Sequence, residues 1–310
     1  MLYRLHRHGY KAYLVGGSVR DLLLDRTPKD FDIGTDATPQ QVKQLFRNCF
    51  LVGRRFRLAH IRFGRDQVIE VATFRRHPRP EEFPEDPDEH GFFMQNQFGT
   101  PREDAFRRDF TINALFYNIA DFSIIDHVGG LDDLERRRLR VIGDPKTRFA
   151  EDPVRMLRVV RFAAKLDFKI DHDTARAIPV CAPLLGEIPA ARLFDEFTKL
   201  FLSGYAQATL HLLRRHGVFV QLFEGSAQIA DEDEFSARLL DCAMENTDRR
   251  IAEEKPEVWH YVAFGDSTTF VGGEIHYYKE MVEEMDTGIG QIVAHGQPAR
   301  VLGGVRARQL

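Results

Sequence analysis

The sequence predicts an α+β protein: a small mixed sheet with short helices first, then an all-helical region. Three observations carry this. Up to about residue 74 the apolar runs are short and are punctuated by Gly and Pro, the spacing of brief strands and helices. From Asp152 to about Met244 the apolar positions recur at helical spacing. The 310 residues, 43% hydrophobic and 29% charged, have an ordinary globular composition and suffice for about two domains.

Leu2–His8 reads as the end of an amphipathic helix closed by Gly9, and Ala12–Val15 as a short buried strand broken by Gly16 and Gly17. Ser18 is expected to cap a helix through Val19–Leu24. Asp30–Ile33 reads as a strand bounded by Pro28 and Gly34. Thr38 followed by Pro39 predicts a helix to about Phe46, because Pro fits the first helical position. Strands are expected near Arg57–Phe63 and Gln67–Phe74, and a surface loop over Pro78–Gly91, with four Pro and six acids. Phe110–Ile119 has helical spacing, and Phe122–Val128 looks like a strand. Residues 256–310 carry eight Gly and the only tryptophan, Trp259, with weak periodicity.

No apolar run reaches about 18 residues, so a spanning helix is not expected. Met1–His8 lacks the apolar centre of a secretory signal. Cys49, Cys181 and Cys242 are scattered and odd in number, which fits a reducing cytoplasm rather than a disulfide framework. Charge is uneven: residues 1–170 hold 30 Lys+Arg against 25 Asp+Glu, and residues 171–310 hold 13 against 22. Within Thr38–Pro80 ten basic residues meet two acids, Asp66 and Glu70. Such a surplus suits a polyanion, nucleic acid or a triphosphate, although a solvated basic face reads the same way.

The chemistry starts at Asp30-Phe31-Asp32. On a strand, residues i and i+2 share a face, so two carboxylates converge while Phe31 turns to the apolar side. Such a pair repels unless a cation intervenes, and hard oxygen donors suit Mg²⁺. Glu70, on another candidate strand, is a third acid that could complete the set. Upstream, Gly16-Gly17-Ser18 joins a strand to a helix, where backbone N–H groups can meet phosphate. Arg108 can neutralise phosphate. Asp109 can cap a helix or accept from a ribose hydroxyl, and Asn113 stands four residues on. Asp152 reads as an N-cap with Pro153 next, and Asp152 and Arg155 offer an acceptor and a donor to a nucleobase edge. Arg155, Arg158 and Arg161 form a basic stripe.

Together these blocks resemble the class II tRNA nucleotidyltransferase and bacterial poly(A) polymerase family. The matching stretches are Leu14–Asp21, Lys29–Ile33, Arg107–Leu115, Asp126–Leu134 and Glu151–Arg158, five ordered motifs, and the likeness covers about residues 3–255. It implies a polymerase-beta-like nucleotidyltransferase head over residues 1–140, a helical neck and body over 141–255, and a divergent C-terminal segment over 256–310. Leu51–Ile61 resembles the signature of the polyadenylating branch. The resemblance implies AMP transfer from ATP to RNA 3′ ends with two Mg²⁺ ions and pyrophosphate release. CCA addition to tRNA, or RNA and nucleotide binding without turnover, are the other readings.

Residue by residue, the resemblance makes Asp30 and Asp32 metal ligands, with Glu70 beside them in catalysis. It sets Gly16, Gly17, Ser18 and Arg20 near the triphosphate. It puts Arg108, Asp109 and Asn113 at phosphate and ribose. Asp152 and Arg155 face the base, with Arg158 and Arg161 beside them. Arg192 and Glu196 resemble a helix-stabilising motif and are expected to be structural.

Overall fold

Alternating side chains build the first half of the molecule. Along β4 (Leu58–Phe63) and β5 (Gln67–Thr73), Ala59, Ile61 and Val71 are buried, while Arg62 and Val68 point to solvent. With β1 (Ala12–Val15), β2 (Asp32–Thr35), β3 (Cys49–Val52), β6 (Leu115–Asn118) and β7 (Ser123–Asp126) they form a seven-stranded sheet. Its order is β3-β4-β5-β2-β1-β6-β7; β2 and β5 run parallel, and the other paired strands antiparallel. This computed structural model describes residues 1–53, 58–64, 67–78, 80–82 and 97–255.

One face of the sheet is closed by α1 (Leu2–Arg7) and α3 (Pro39–Leu45), which pack Leu5 and Val42 against Ile33, Ala59, Ile61 and Val71. The Thr38 hydroxyl and the Gln41 side chain close a reciprocal capping box at the start of α3. On the other face the β1–β6 side is covered. There Val15, Phe74 and Phe116 pack with Ala105 of the helix Pro101–Arg107, and Tyr13, Phe74 and Phe116 stand 6.0–6.2 Å apart.

The chain divides into two compact units at Asp144 and Pro145. The second contains the helices Pro145–Glu151, Val154–Leu166, His172–Cys181, Ala190–Phe201, Ala206–Arg215, Val218–Leu222, Glu224–Glu232 and Glu234–Ala252. Phe197 and Phe219 pack on Phe223 with ring centroids 5.2–5.3 Å apart. Among the described residues no helix is long and apolar enough to cross a membrane, and the three cysteines form no disulfide.

Several expectations are corrected. Gly34 does not end a strand: β2 runs on to Thr35, and Gly34 leaves room for Phe74, whose ring a Cβ there would meet at 2.5 Å. Asp30 precedes β2 instead of lying in it, and Phe31 is exposed rather than turned into the core, because pairing with β1 starts only at Asp32. Phe110–Ile119 is not a helix but a 3-10 turn, Thr111–Asn113, followed by β6, since its apolar residues fill the sheet core between β1 and β7. Ser18 lies within α2 (Gly17–Leu23), whose N-cap is Gly16. Strand β3 and the helix Pro101–Arg107 were not anticipated from the sequence. Within the expected loop, Pro80–Glu82 forms a 3-10 turn, and residues 79 and 83–91 lie outside the described residues, as do residues 54–57 and 256–310.

Candidate active site

The strand-to-helix turn after β1 depends on a glycine. Gly16 has φ +74° and ψ −138°, a conformation that side chains rarely allow, and a Cβ there would lie 3.1 Å from an Arg108 guanidinium nitrogen. The turn therefore brings bare backbone up to a cation. Arg108 is held there by Asp104 at 3.0 Å, by the Asn113 carbonyl at 3.2 Å, and by the Phe116 ring at 5.3 Å. Ser18 is buried and donates its hydroxyl to the Val15 carbonyl at 3.0 Å, so it fastens the turn from within.

The carboxylates meet across the parallel pair. Asp32 and Glu70 are register partners on β2 and β5, so both side chains leave the same face of the sheet. Partial burial of its carboxyl group raises the Asp32 pKa first, then the charge of Glu70; Arg108 pulls it down, and Asp30 adds a further push upward. This crowding of negative charge is what a divalent cation relieves. The hard oxygen donors and their charge fit Mg²⁺, with Asp30 and Asp32 as the pair and Glu70 one strand away. Among the described residues, however, no group of three or more His, Cys, Asp or Glu stands in position to hold a metal ion.

Sequence reasoning missed two neighbours of this centre. His60, on β4, stands 3.4 Å from Glu70. The Arg75 backbone N–H donates to the Asp104 carboxylate at 3.1 Å; burial lowers the pKa of its side chain, while Asp104 and Glu70 oppose that shift. His60 is revealed by the sheet register and Arg75, just past the end of β5, by its bond to Asp104.

Arg20, Asp109 and Asn113 are brought together, but inside the protein. Arg20 is 3% exposed; its guanidinium donates to Asp21 at 2.6 and 2.8 Å and to the Asn113 side chain at 2.6 Å. Asn113 in turn donates to Asp109 at 3.3 Å. These residues brace the floor beneath the Gly16 turn. The 3-10 turn that carries Asn113 is itself pinned: the Thr111 hydroxyl donates to fully buried Asp133 at 2.6 Å, and Arg138 and Arg140 bind the same carboxylate at 2.5 and 2.8 Å. Asp126 accepts backbone N–H groups of Val128, Gly129 and Leu131 at 2.9–3.0 Å. Burial pushes its pKa up, and these bonds outweigh that and lower it. The motif Asp126–Leu134 is thus a strut for the site.

The base-recognition candidates lie in the second unit. Asp152 is not an N-cap: the helix Val154–Leu166 starts after Pro153, and the Asp152 carboxylate instead accepts both its bonds from Arg192 at 2.9 Å. Arg155 does not pair with Asp152; it donates to the Arg148 carbonyl at 2.6 Å and to Glu151 at 2.9 Å. Arg155, Arg158 and Arg161 are half-buried along one face of their helix. Arg161 stands 3.9 Å from Glu196, which Lys199 also binds at 2.8 Å. Arg192 thus touches a predicted site residue, a link that separation by forty positions hides from the sequence.

With this geometry in place, likeness to known proteins becomes informative. Residues 12–140 match the poly A polymerase head domain, and residues 167–229 match a family described as the probable RNA and SrmB-binding site of polymerase A. Poly(A) polymerase I of Salmonella typhi is 52% identical over 260 residues, which cover 82% of this chain and 56% of that protein. The chain belongs to the class II tRNA nucleotidyltransferase and poly(A) polymerase family. Two solved structures of the family share its fold. The Bacillus stearothermophilus CCA-adding enzyme in complex with CTP has a TM-score of 0.60 and 36% identity, over 70% of this chain and 51% of that one. A tRNA nucleotidyltransferase complexed with a primer tRNA and an incoming ATP analog has a TM-score of 0.59 and 33% identity, over 71% and 61%. The chain spans about half the length of the curated relatives it matches, 56% of the Salmonella protein. The head-domain match of this family takes in the Gly16 turn, Asp32, Glu70 and Arg108 together.

Proposed function

We propose that this chain transfers AMP from ATP to the 3′-hydroxyl of RNA and releases pyrophosphate. The observation that carries the reading is the Asp32 carboxylate, crowded by Glu70 and Asp30 and faced by Arg108 at a glycine turn. The greater identity to poly(A) polymerase I, 52% against 41% for a Bacillus pumilus CCA-adding enzyme, favours the polyadenylating branch. A cytoplasmic setting goes with that substrate.

In this reading Asp30 and Asp32 would hold Mg²⁺, two ions in the full site, which supplies Lewis-acid stabilisation to the attacking and leaving oxygens when bound. Glu70 keeps the local charge negative beside Asp32. Arg108 offers positive charge to the triphosphate, and the backbone at Gly16 and Gly17 lets phosphate approach without a side chain in the way. Ser18, Arg20, Asp109 and Asn113 orient this surface from below. They hold it preorganised, so that little reorganisation is needed as charge develops. Asp152 and Arg155 would offer an acceptor and a donor to the nucleobase edge by exchanging their bonds to Arg192 and Glu151, with Arg158 and Arg161 on the same helix face.

The test is extension of two labelled RNAs, an unstructured oligomer and a tRNA lacking its CCA end, with Mg²⁺ and either ATP or CTP. Long A-tails on both RNAs are expected. CTP-dependent addition confined to the tRNA would establish the CCA-adding reading instead, which the likeness to the CTP-bound enzyme favours. Binding of ATP and RNA with no extension would mark a non-catalytic relative.

A further inference from the structure

On one face of the half of the sheet that carries Glu70, side chains stay exposed. On β3, β4 and β5 the inward residues are buried by α1 and α3. The outward ones are not: Phe50 is 60% exposed, Val52 45% and Val68 46%. Phe50 pairs with His60, His60 with Glu70, and Glu70 with Asp32, so the four side chains form one row across four adjacent strands. Neighbouring strands lie about 4.8 Å apart, which puts Phe50 about 14 Å from Asp32 along this row. Arg62 is exposed on the same face of β4, one register step of two residues from His60.

This face differs from an ordinary solvated sheet surface. A large aromatic ring in the open beside an imidazole, with arginine flanking both, is the composition of a surface that stacks unpaired bases and holds phosphates. In sequence, Thr38–Pro80, which supplies all three strands, has ten basic residues against two acids, and on the strands themselves the charged residues are Arg62 and Glu70. The row also runs directly into the crowded carboxylates, so a strand lying on it reaches Asp32.

We propose that the open face of β3–β5 binds the single-stranded RNA segment just upstream of the 3′-hydroxyl. Phe50 and His60 stack on bases, and Arg62 contacts phosphate. This rests on the reading of the Asp32 centre as a site of nucleotide transfer to RNA, and it adds the track on which the RNA reaches that centre. A base stacked on Phe50 lies two or three nucleotides from the reacting end, the number of bases that sheet platforms of this kind commonly engage.

The test is binding of a fluorescein-labelled oligo(A) to the full chain by anisotropy, with ATP binding measured separately. Both are equilibrium measurements and need no turnover. Phe50→Ala is expected to weaken RNA binding about 5- to 100-fold, the scale of one lost base stack, and to leave ATP binding unchanged. Arg62→Ala is expected to flatten the salt dependence, lowering the slope of log K against log salt by about 0.7. Phe50→Leu, which retains bulk but no aromatic ring, should behave like the alanine variant. If both Phe50 variants bind RNA as the unaltered chain does, the proposal is overturned, whether or not AMP is transferred. It is also overturned if sedimentation shows the unaltered chain to be a dimer that Phe50→Ala splits, since a second copy then covers this face. Loss of RNA binding in a chain that transfers no AMP would uphold the surface and sink the catalytic reading. Failure of the unaltered chain to bind RNA would sink both.

Discussion

Asp133 and Asp32 are carboxylates of the same unit with opposite surroundings. Asp133 is fully buried and meets Thr111, Arg138 and Arg140. Asp32 reaches solvent and meets Glu70 and Asp30, with Arg108 as the counterweight. The first is a closed account of charge, in which every part of the cluster answers another. The second is left negative. A fold gains from satisfying a buried charge and loses from crowding like ones. Crowding that persists next to a glycine turn and an arginine is therefore better explained by chemistry than by stability. The same contrast separates the arginines. Arg20, 3% exposed and bonded to Asp21 and Asn113, is a brace, and Arg108, at the Gly16 turn, keeps a side chain that is 25% exposed.

Four measurements bear on this contrast. The largest effect is expected from Asp32→Ala: loss of AMP transfer by about 10³-fold, or about 4 kcal/mol of barrier, with an unchanged circular dichroism spectrum. Asp30→Ala should behave alike, and near-normal turnover in either variant would remove the functional half of the comparison. Asp133→Ala should do the reverse and act on the fold. Breaking a buried ion pair costs about 3–5 kcal/mol, and the lower end is expected here because Arg138 and Arg140 are 30% and 37% exposed and can rehydrate. Urea unfolding would read this, and a midpoint shift near zero would show that the strut bears no strain. Gly34→Ala is expected to cost about 1–3 kcal/mol through its clash with the Phe74 ring, read in the same way.

The smallest effect concerns pH. The folded state raises the pKa of Asp32, so it binds that proton more tightly than the unfolded chain does. The ionised side chain therefore lowers stability above its folded pKa, and the penalty fades as the pH falls toward the ordinary carboxylate value of about 3.9. Asp32→Asn should raise the melting temperature of the chelator-treated protein at pH 7, with the gap narrowing on acidification. A lower melting temperature for the variant at pH 7 would mean that the carboxylate is satisfied after all.

Much of the site could be read from sequence where its cause was local. The Gly16-Gly17 break, the helix start at Thr38-Pro39 and the Asp30-x-Asp32 spacing each depend on a few neighbouring residues, and the structure has the turn and the helix start where the sequence puts them. Local reasoning failed where the decisive neighbour was distant. Asp152 has the sequence of an N-cap, but Arg192, forty residues on, takes its carboxylate. Phe110–Ile119 has helical periodicity, but a place between β1 and β7 makes its second half a strand. The resemblance sets Arg20 near the triphosphate, and in the structure its guanidinium bonds Asn113, on a turn pinned by Asp133.

By itself, then, the sequence determined which residues carry charge, where the chain turns, and that a mixed sheet precedes a helical region. These follow from backbone conformation and side-chain chemistry within a few positions. The tertiary structure alone decided which charges are satisfied. Strand register set Glu70 beside Asp32 and opened the Phe50–His60 face, and helix packing gave Asp152 to Arg192. The physical reason is range: propensity acts between neighbours in the chain, whereas burial and ion pairing act between neighbours in space.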